Sequence, residues 1–352
     1  VNPPDATPPS FRILSVDGGG IRGLISALAI AEIEKRLGEE TGREVRMADY
    51  FHLFAGTSTG GLIALALTSP KRVSATELAA FYTEDGPQIF HRGLGHQIGS
   101  LWGLSGPKYT LGPLREAVER RLGTSRISEA SRDLLVTSYD MTRSEPYFFK
   151  RWRALERDER NFPIAEAALA TSAAPTYFPS HGLGDRALVD GGVFAANPSV
   201  AAIAEALGRQ SDEPARLAPD DLFLVSIGTG EFETGYSQRK VSGWGEIGWV
   251  TGGDEPPILG ALLGGASDGA DYWAHMLLNH APGEAVPAPE ELGRGPRYYR
   301  LQVKLPEPIA MDDASERTLE HRLPDAAHRL LKQRAPQVEE IVAKLVAAGP
   351  IR

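Results

Sequence analysis

The stretch Phe54-Ala55-Gly56-Thr57-Ser58-Thr59-Gly60-Gly61 constrains this chain more than any other. An apolar, strand-like run ends in a serine with glycines two residues before and after it, and an apolar helical run follows at once. A chain that turns from strand to helix about one serine holds that residue in a strained backbone conformation. Only flanking residues without a Cβ let strand and helix pass so closely. The turn pushes the Ser58 hydroxyl outward, and the unpaired N–H groups that open the helix favour negative charge beside it. Leu62, Ile63, Leu65, Ala66 and Leu67 carry little polar surface and predict a helix anchored in a core. These features make Ser58 a candidate nucleophile, with Gly56 and Gly60 as the glycines of its elbow. The same spacing also occurs in plain Gly/Ser/Thr loops ahead of buried helices, so the rest of the chain has to decide.

Upstream, the β-favouring run Phe11-Arg12-Ile13-Leu14-Ser15-Val16 empties into Asp17-Gly18-Gly19-Gly20-Ile21-Arg22-Gly23. Ile21, Leu24, Ile25 and Leu28 then recur at helical spacing, with Glu32, Glu34, Lys35 and Arg36 on the later turns. Strand, glycine loop and helix in this order formally satisfy G-x-G-x-x-G. A dinucleotide site also needs a second strand ending in an acidic residue about 20 positions on. Here that region is Gly38-Glu39-Glu40-Thr41-Gly42-Arg43, charged and turn-like. The glycines fit a different use: the backbone N–H groups of Gly18, Gly19 and Gly20 converging at the mouth of a helix as an anion nest. Acyl transfer needs such a nest for the alkoxide formed when a serine attacks an ester carbonyl.

Composition narrows the partners. The 352-residue chain has a formal net charge of -9 and no basic run, which disfavours a nucleic-acid polymer as partner and tight electrostatic docking on anionic membranes. It has no cysteine, which removes disulfides, thiolate metal sites and a cysteine nucleophile together. The histidines are dispersed and no H-E-x-x-H occurs, so no metal or other cofactor is expected. Apolar runs such as Leu24 to Ala31 fall far short of a bilayer span of about 20 residues. With no signal-peptide pattern at Val1, the reading leans to the cytoplasm. Residues 1–10 read as a proline-rich tail and residues 11–352 as one domain.

Further along, His91, His96 and Trp102 crowd with glycines and prolines in a stretch read as a mobile loop or partial lid. Leu134 to Tyr139 and Tyr147 to Lys150 read as strands, and Ile164 to Ala170 as a small-residue helix running into Thr171 to Pro179, a turn-rich apolar stretch suited to lining a pocket. Ala187-Leu188-Val189-Asp190-Gly191-Gly192 is the second anchor: a strand ending in a carboxylate with open surroundings. Asn197 and Pro198 follow as cap and first turn of a helix that Gly208 stops. Alone, Asp190 reads as a solvated turn; beside Ser58 it is a candidate base, since a carboxylate in hydrogen-bond reach takes the serine proton directly. A Ser-Asp-His triad would draw on His275, His280, His321 or His328, none of which sits in a glycine-rich or strand-end loop. A fold kept for storage or binding is a further alternative, against which the intact Ser58, Asp190 and triple glycine speak.

Asp17 to Gly23, Gly56 to Gly61 and Asp190 to Gly192 together resemble the patatin-like phospholipases, which are lipid acyl hydrolases. Leu224 to Gly230, Tyr298 to Gln302 and Met311 to Ser315 extend the resemblance over roughly residues 11–345. It implies a three-layer α/β/α fold with a mainly parallel sheet and a Ser-Asp dyad: Ser58 attacking, Asp190 as base and Gly18, Gly19 and Gly20 as oxyanion hole. It implies a lipid or phospholipid substrate met at a membrane or micelle surface, and it leaves room for a small-molecule or protein activator, as in bacterial members that act as membrane-degrading effectors. It fixes no oligomeric state. Arg22 stands where related lipases carry a basic residue for the lipid phosphate, and equally fits a structural cation on the first helical turn. Residues 243–265, rich in Gly, Trp and Pro, depart most from the resemblance and read as a cover specific to this chain.

Overall fold

The computed structural model describes residues 10–91, 106–208, 217–232, 236–251, 257–281 and 283–351. His96 and Trp102, and with them most of the expected lid, lie outside these residues, as do most of the N-terminal tail and part of the 243–265 segment. An eight-stranded, mostly parallel sheet organises the described chain. In chain order its strands are β1 (Phe11–Val16), β2 (Leu53–Thr57), β3 (Asp133–Asp140), β4 (Glu145–Lys150), β5 (His181–Leu183), β6 (Arg186–Asp190), β7 (Leu222–Ile227) and, after a two-residue β8 (Glu231–Phe232) outside it, β9 (Tyr298–Leu301). The spatial order β3-β2-β1-β7-β9 is parallel throughout, and β4 and β6 join β3 antiparallel.

Alternation along the strands sends side chains to two cores. From β1, Leu14 and Val16 face one core while Ile13 faces the other; from β7, Phe223 and Val225 split from Leu224 in the same way. The first core is closed by α1 (Gly23–Thr41), α2 (Thr59–Thr68), α3 (Ile164–Ser172) and, later in the chain, by the two C-terminal helices described below. The second is closed by α4 (Ser199–Gly208) and α5 (Pro257–Leu278) through Ala202, Ile203, Ala206, Ala274 and Leu278. α6 (Leu323–Gln333) and α7 (Ala335–Ala348) return to the first face with Leu330, Val338, Ile341 and Leu345. Helices on both faces of a sheet buried on both sides give the three α/β/α layers.

Register sets the site. β3 pairs with β4 over residues 135–140 along one edge, so β2 and β6, both overlapping β4, share the other edge. On that shared edge Thr57 pairs with Thr137, and Asp190 pairs with the next residue, Ser138. β2 and β6 run toward each other and meet head to head, which brings the residues at their ends together. After β2 the chain passes directly to Ser58 with no acidic strand end, in keeping with the absence of a dinucleotide site. The segment that follows α2 is α-helical over Ala75–Ala80 and widens to a π-turn at Phe81–Asp85.

Candidate active site

Ser58 sits between β2 and α2 with φ 54° and ψ -124°, a left-handed conformation that costs a residue with a Cβ about 1–3 kcal/mol. Its surroundings hold it there. A Cβ on Gly56 would meet the Gly60 carbonyl oxygen at 2.1 Å, and one on Gly60 would meet the Val16 carbonyl oxygen at 2.1 Å. The expected tightness of the elbow is therefore a contact between backbones, and both glycines are sterically required. The Ser58 N–H donates to Thr171 Oγ1 at 2.8 Å. Two residues later the Ala173 carbonyl accepts the Asp190 N–H at 3.0 Å. The C-terminal end of α3 thus holds both ends of the head-to-head strand pair.

The Asp190 carboxyl is 5% exposed and lines the same cavity as Ser58. The Gly192 N–H donates to its Oδ1 at 2.7 Å, and the nearby Ser58 hydroxyl also favours its charged form. Burial raises its pKa to about 6, against the lowering effect of these two groups. A carboxylate titrating there is matched to taking up and returning a proton near neutral pH.

The glycine loop reaches the site from the neighbouring strand, since β1 pairs with β2 as far as Val16 opposite Gly56. One expectation needs correction: the Gly18 N–H does not point into a common nest but donates to the Ala196 carbonyl at 2.9 Å. The N–H groups of Gly19 and Gly20 have no acceptor among the described residues, nor does that of Thr59, the first residue of α2. The sequence reading did not include Thr59, although the N–H after an elbow serine is a general oxyanion donor. A Cβ on Gly19 would stand 2.2 Å from Thr229 Oγ1, and Gly20, at φ +60°, approaches the Met311 carbonyl equally closely. Thr229 Oγ1 also donates to the Gly18 carbonyl at 2.8 Å.

Asp17, which opens the loop, is clamped by Arg300 through two hydrogen bonds of 2.9 and 2.6 Å, and Arg300 also donates to Ser226 and Ser267. Both ions are buried. No sequence signal within reach of Asp17 points to a partner 283 positions away. Arg22 is buried, donates to the Gly19 carbonyl at 3.3 Å and lies 5.0 Å over the Phe232 ring. It supports the loop and also lines the cavity.

The cavity holds about 980 Å³. Its polar end carries Ser58, Asp190 and Gly18 to Gly20, while Leu62, Phe81, Ile89, Phe90, Phe178 and Leu263 line an apolar reach suited to a hydrocarbon chain. Trp244, Trp249 and Leu259 to Gly264, from the 243–265 segment, also line it. Among the described residues no histidine lines it. His275 accepts the Gly293 N–H at 3.0 Å, His280 faces Glu284 at 3.8 Å, and His321 and His328 lie on the surface. No group of three or more metal-ligating side chains occurs among the described residues.

Comparison with known proteins follows the same three motifs. A family profile described as patatin-like phospholipase matches residues 14–203, from β1 through α4. The chain belongs to the patatin-like phospholipase family. Among similar family members, Patatin-like protein 2 of Arabidopsis thaliana is 35% identical over 307 residues, covering 79% of this chain and 75% of its own. Patatin-07 of Solanum tuberosum is 32% identical over 262 residues, covering 68% of this chain and 66% of its own. The crystal structure of VipD from Legionella pneumophila aligns over 93% of this patatin-like chain and 68% of its own, at 12% identity and a TM-score of 0.43. The family is one of lipid acyl hydrolases, and its substrates are lipids. No helix among the described residues is long and apolar enough to cross a membrane.

Proposed function

We propose that this patatin-like protein cleaves fatty acyl esters of lipids and phospholipids through a Ser58-Asp190 dyad and an acyl-enzyme. Ser58 Oγ attacks the ester carbonyl carbon as its proton passes to Asp190. The carbonyl oxygen, now an alkoxide, accepts from the N–H groups of Gly19, Gly20 and Thr59. Collapse breaks the bond to the alcohol, which leaves with the proton from Asp190. A water then attacks the acyl carbon, gives its proton to Asp190, and the fatty acid departs as Ser58 recovers its hydrogen.

The observation that carries this reading is that the strand register brings the elbow serine and a buried carboxyl into one cavity without histidine among its described lining. It favours the dyad over the triad and an active enzyme over a storage protein. The apolar reach of the cavity supports a long acyl chain. Labelling with a fluorophosphonate and mapping the modified peptide tests it. Modification at Ser58, absent in Ser58→Ala and weakened in Asp190→Asn, supports the reading. Loss of ester hydrolysis in folded His275→Ala or His280→Ala, with Asp190→Asn active, refutes the dyad.

A further inference from the structure

Beside the active site the molecule carries a second, smaller cavity of about 330 Å³, and the two share no lining residue. It is formed by the whole of β4, the residues just after it and the start of β6. Five of its side chains are cationic, Lys150, Arg153, Arg157, Arg160 and Arg186, against one carboxylate, Glu145. That concentration is set in a chain of net charge -9, so the general field of the protein does not account for it.

The five cations are unequally compensated. Arg186 is paired with Asp140 and lies 3.7 Å from Glu145, Lys150 is paired with Glu205, and Arg153 meets Glu156 at 2.8 Å. Arg157 and Arg160 have no ion pair among the described residues, and the Asp158 and Glu159 between them do not line the cavity. Tyr147 organises the floor: the Arg186 guanidinium lies 4.9 Å and that of Arg160 5.3 Å from its ring centroid. Stacking on an aromatic ring fixes the plane of a guanidinium and leaves its N–H fork free to be aimed. Tyr147 is itself 5% exposed, lines the cavity, and its hydroxyl has no hydrogen-bond partner among the described residues.

We propose that this cavity binds a phosphate monoester. Two guanidinium groups without a counter-ion match a group that carries about -1.5 to -2 charge at neutral pH. Arginine forks and a phenol supply donors to its three terminal oxygens. The volume, near the lower limit of about 300 Å³ for ligand sites, suits one phosphorylated head rather than an acyl chain. The same chemistry is offered by a soluble phosphorylated metabolite and by a phosphomonoester lipid headgroup.

The test uses the full chain carrying Ser58→Ala, so that no probe is turned over. Glycerol 3-phosphate binding is measured by calorimetry. Co-sedimentation is measured with phosphatidylcholine vesicles containing phosphatidic acid, or the same fraction of phosphatidylglycerol as a phosphodiester control. Arg157→Glu and Arg160→Gln alter exposed or half-buried side chains and are expected to weaken binding at least tenfold, while Lys35→Glu, a charge change on α1, leaves it unaltered. The same groove variants with Ser58 intact keep their hydrolysis of a soluble ester, which separates this site from the active-site reading. Binding of glycerol 3-phosphate identifies a soluble ligand, and binding of phosphatidic acid vesicles alone identifies a headgroup. Absence of both, equal binding of phosphatidylglycerol vesicles, or equal weakening by Lys35→Glu overturns the proposal.

Discussion

Thr57 and Asp190 occupy adjacent register positions on one edge of β3, the last residues of two strands that meet head to head. The junction is tight. Thr57 Oγ1 lies 2.7 Å from Thr137 Oγ1 and donates to the Ala195 carbonyl at 2.6 Å, and a Cβ on Gly191 would fall 2.1 Å from Thr137 Oγ1. Gly191→Ala therefore has to push Asp190 away from Ser58. A displacement near 1 Å costs about 100-fold in rate. Turnover of a soluble ester is expected to fall by that order with the circular dichroism spectrum unchanged; wild-type turnover would refute the claim that register sets the Ser58-Asp190 geometry.

The pH dependence follows from the carboxyl raised to about 6. As a base Asp190 must be ionised, so kcat/KM is expected to rise with pH through about 6 and to be roughly tenfold lower at pH 5 than at pH 7. Stability runs the other way. Between about pH 4 and 6 the native state holds a proton that the unfolded state has released, so stability falls as pH rises through that window. Asp190→Asn abolishes this slope and is expected to stabilise the protein at neutral pH by about 2–3 kcal/mol, a value set by the distance from the ordinary carboxyl pKa. Chemical denaturation at pH 4.5 and 7 checks both signs.

The clamp on the glycine loop makes a different prediction. Arg300→Met leaves Asp17 buried without its cation, which costs about 3–5 kcal/mol. Arg300→Lys restores charge but not the two-pronged geometry, and is expected to recover only part of the stability. Equal stability of the wild type and Arg300→Met would show that Asp17 is held by other contacts.

How far the sequence carried this picture depended on separation along the chain. Ser58 between Gly56 and Gly60 was legible because elbow chemistry is local: three residues in five positions state the steric demand. Asp190 was legible as a strand end but not as a neighbour of Ser58, since their meeting depends on β3 pairing with β2 and β6 along the same edge. The glycine loop was legible in type and misjudged in one donor, because the acceptor that takes the Gly18 N–H is Ala196, on a turn 178 positions later. Arg300 and Thr229, which position that loop, gave no local signal. Asn197 did: its Oδ1 accepts the Ser199 N–H at 3.0 Å, the short-range capping pattern that the Asn-Pro pair announced.

The end of α3, which spans the site, supplies the last prediction. Thr171 and Ala173 bind the backbone of Ser58 and Asp190, and between them Ser172 lines the cavity with its Oγ buried and without a partner among the described residues. A buried hydroxyl left unsatisfied costs about 1–3 kcal/mol, and removing it recovers that cost when the backbone is undisturbed. Ser172→Ala keeps every backbone bond of the helix end. Its denaturation midpoint is expected to rise, by about 1 kcal/mol in stability, with an unchanged slope. A fall instead would mean that the hydroxyl is satisfied in solution by an ordered water.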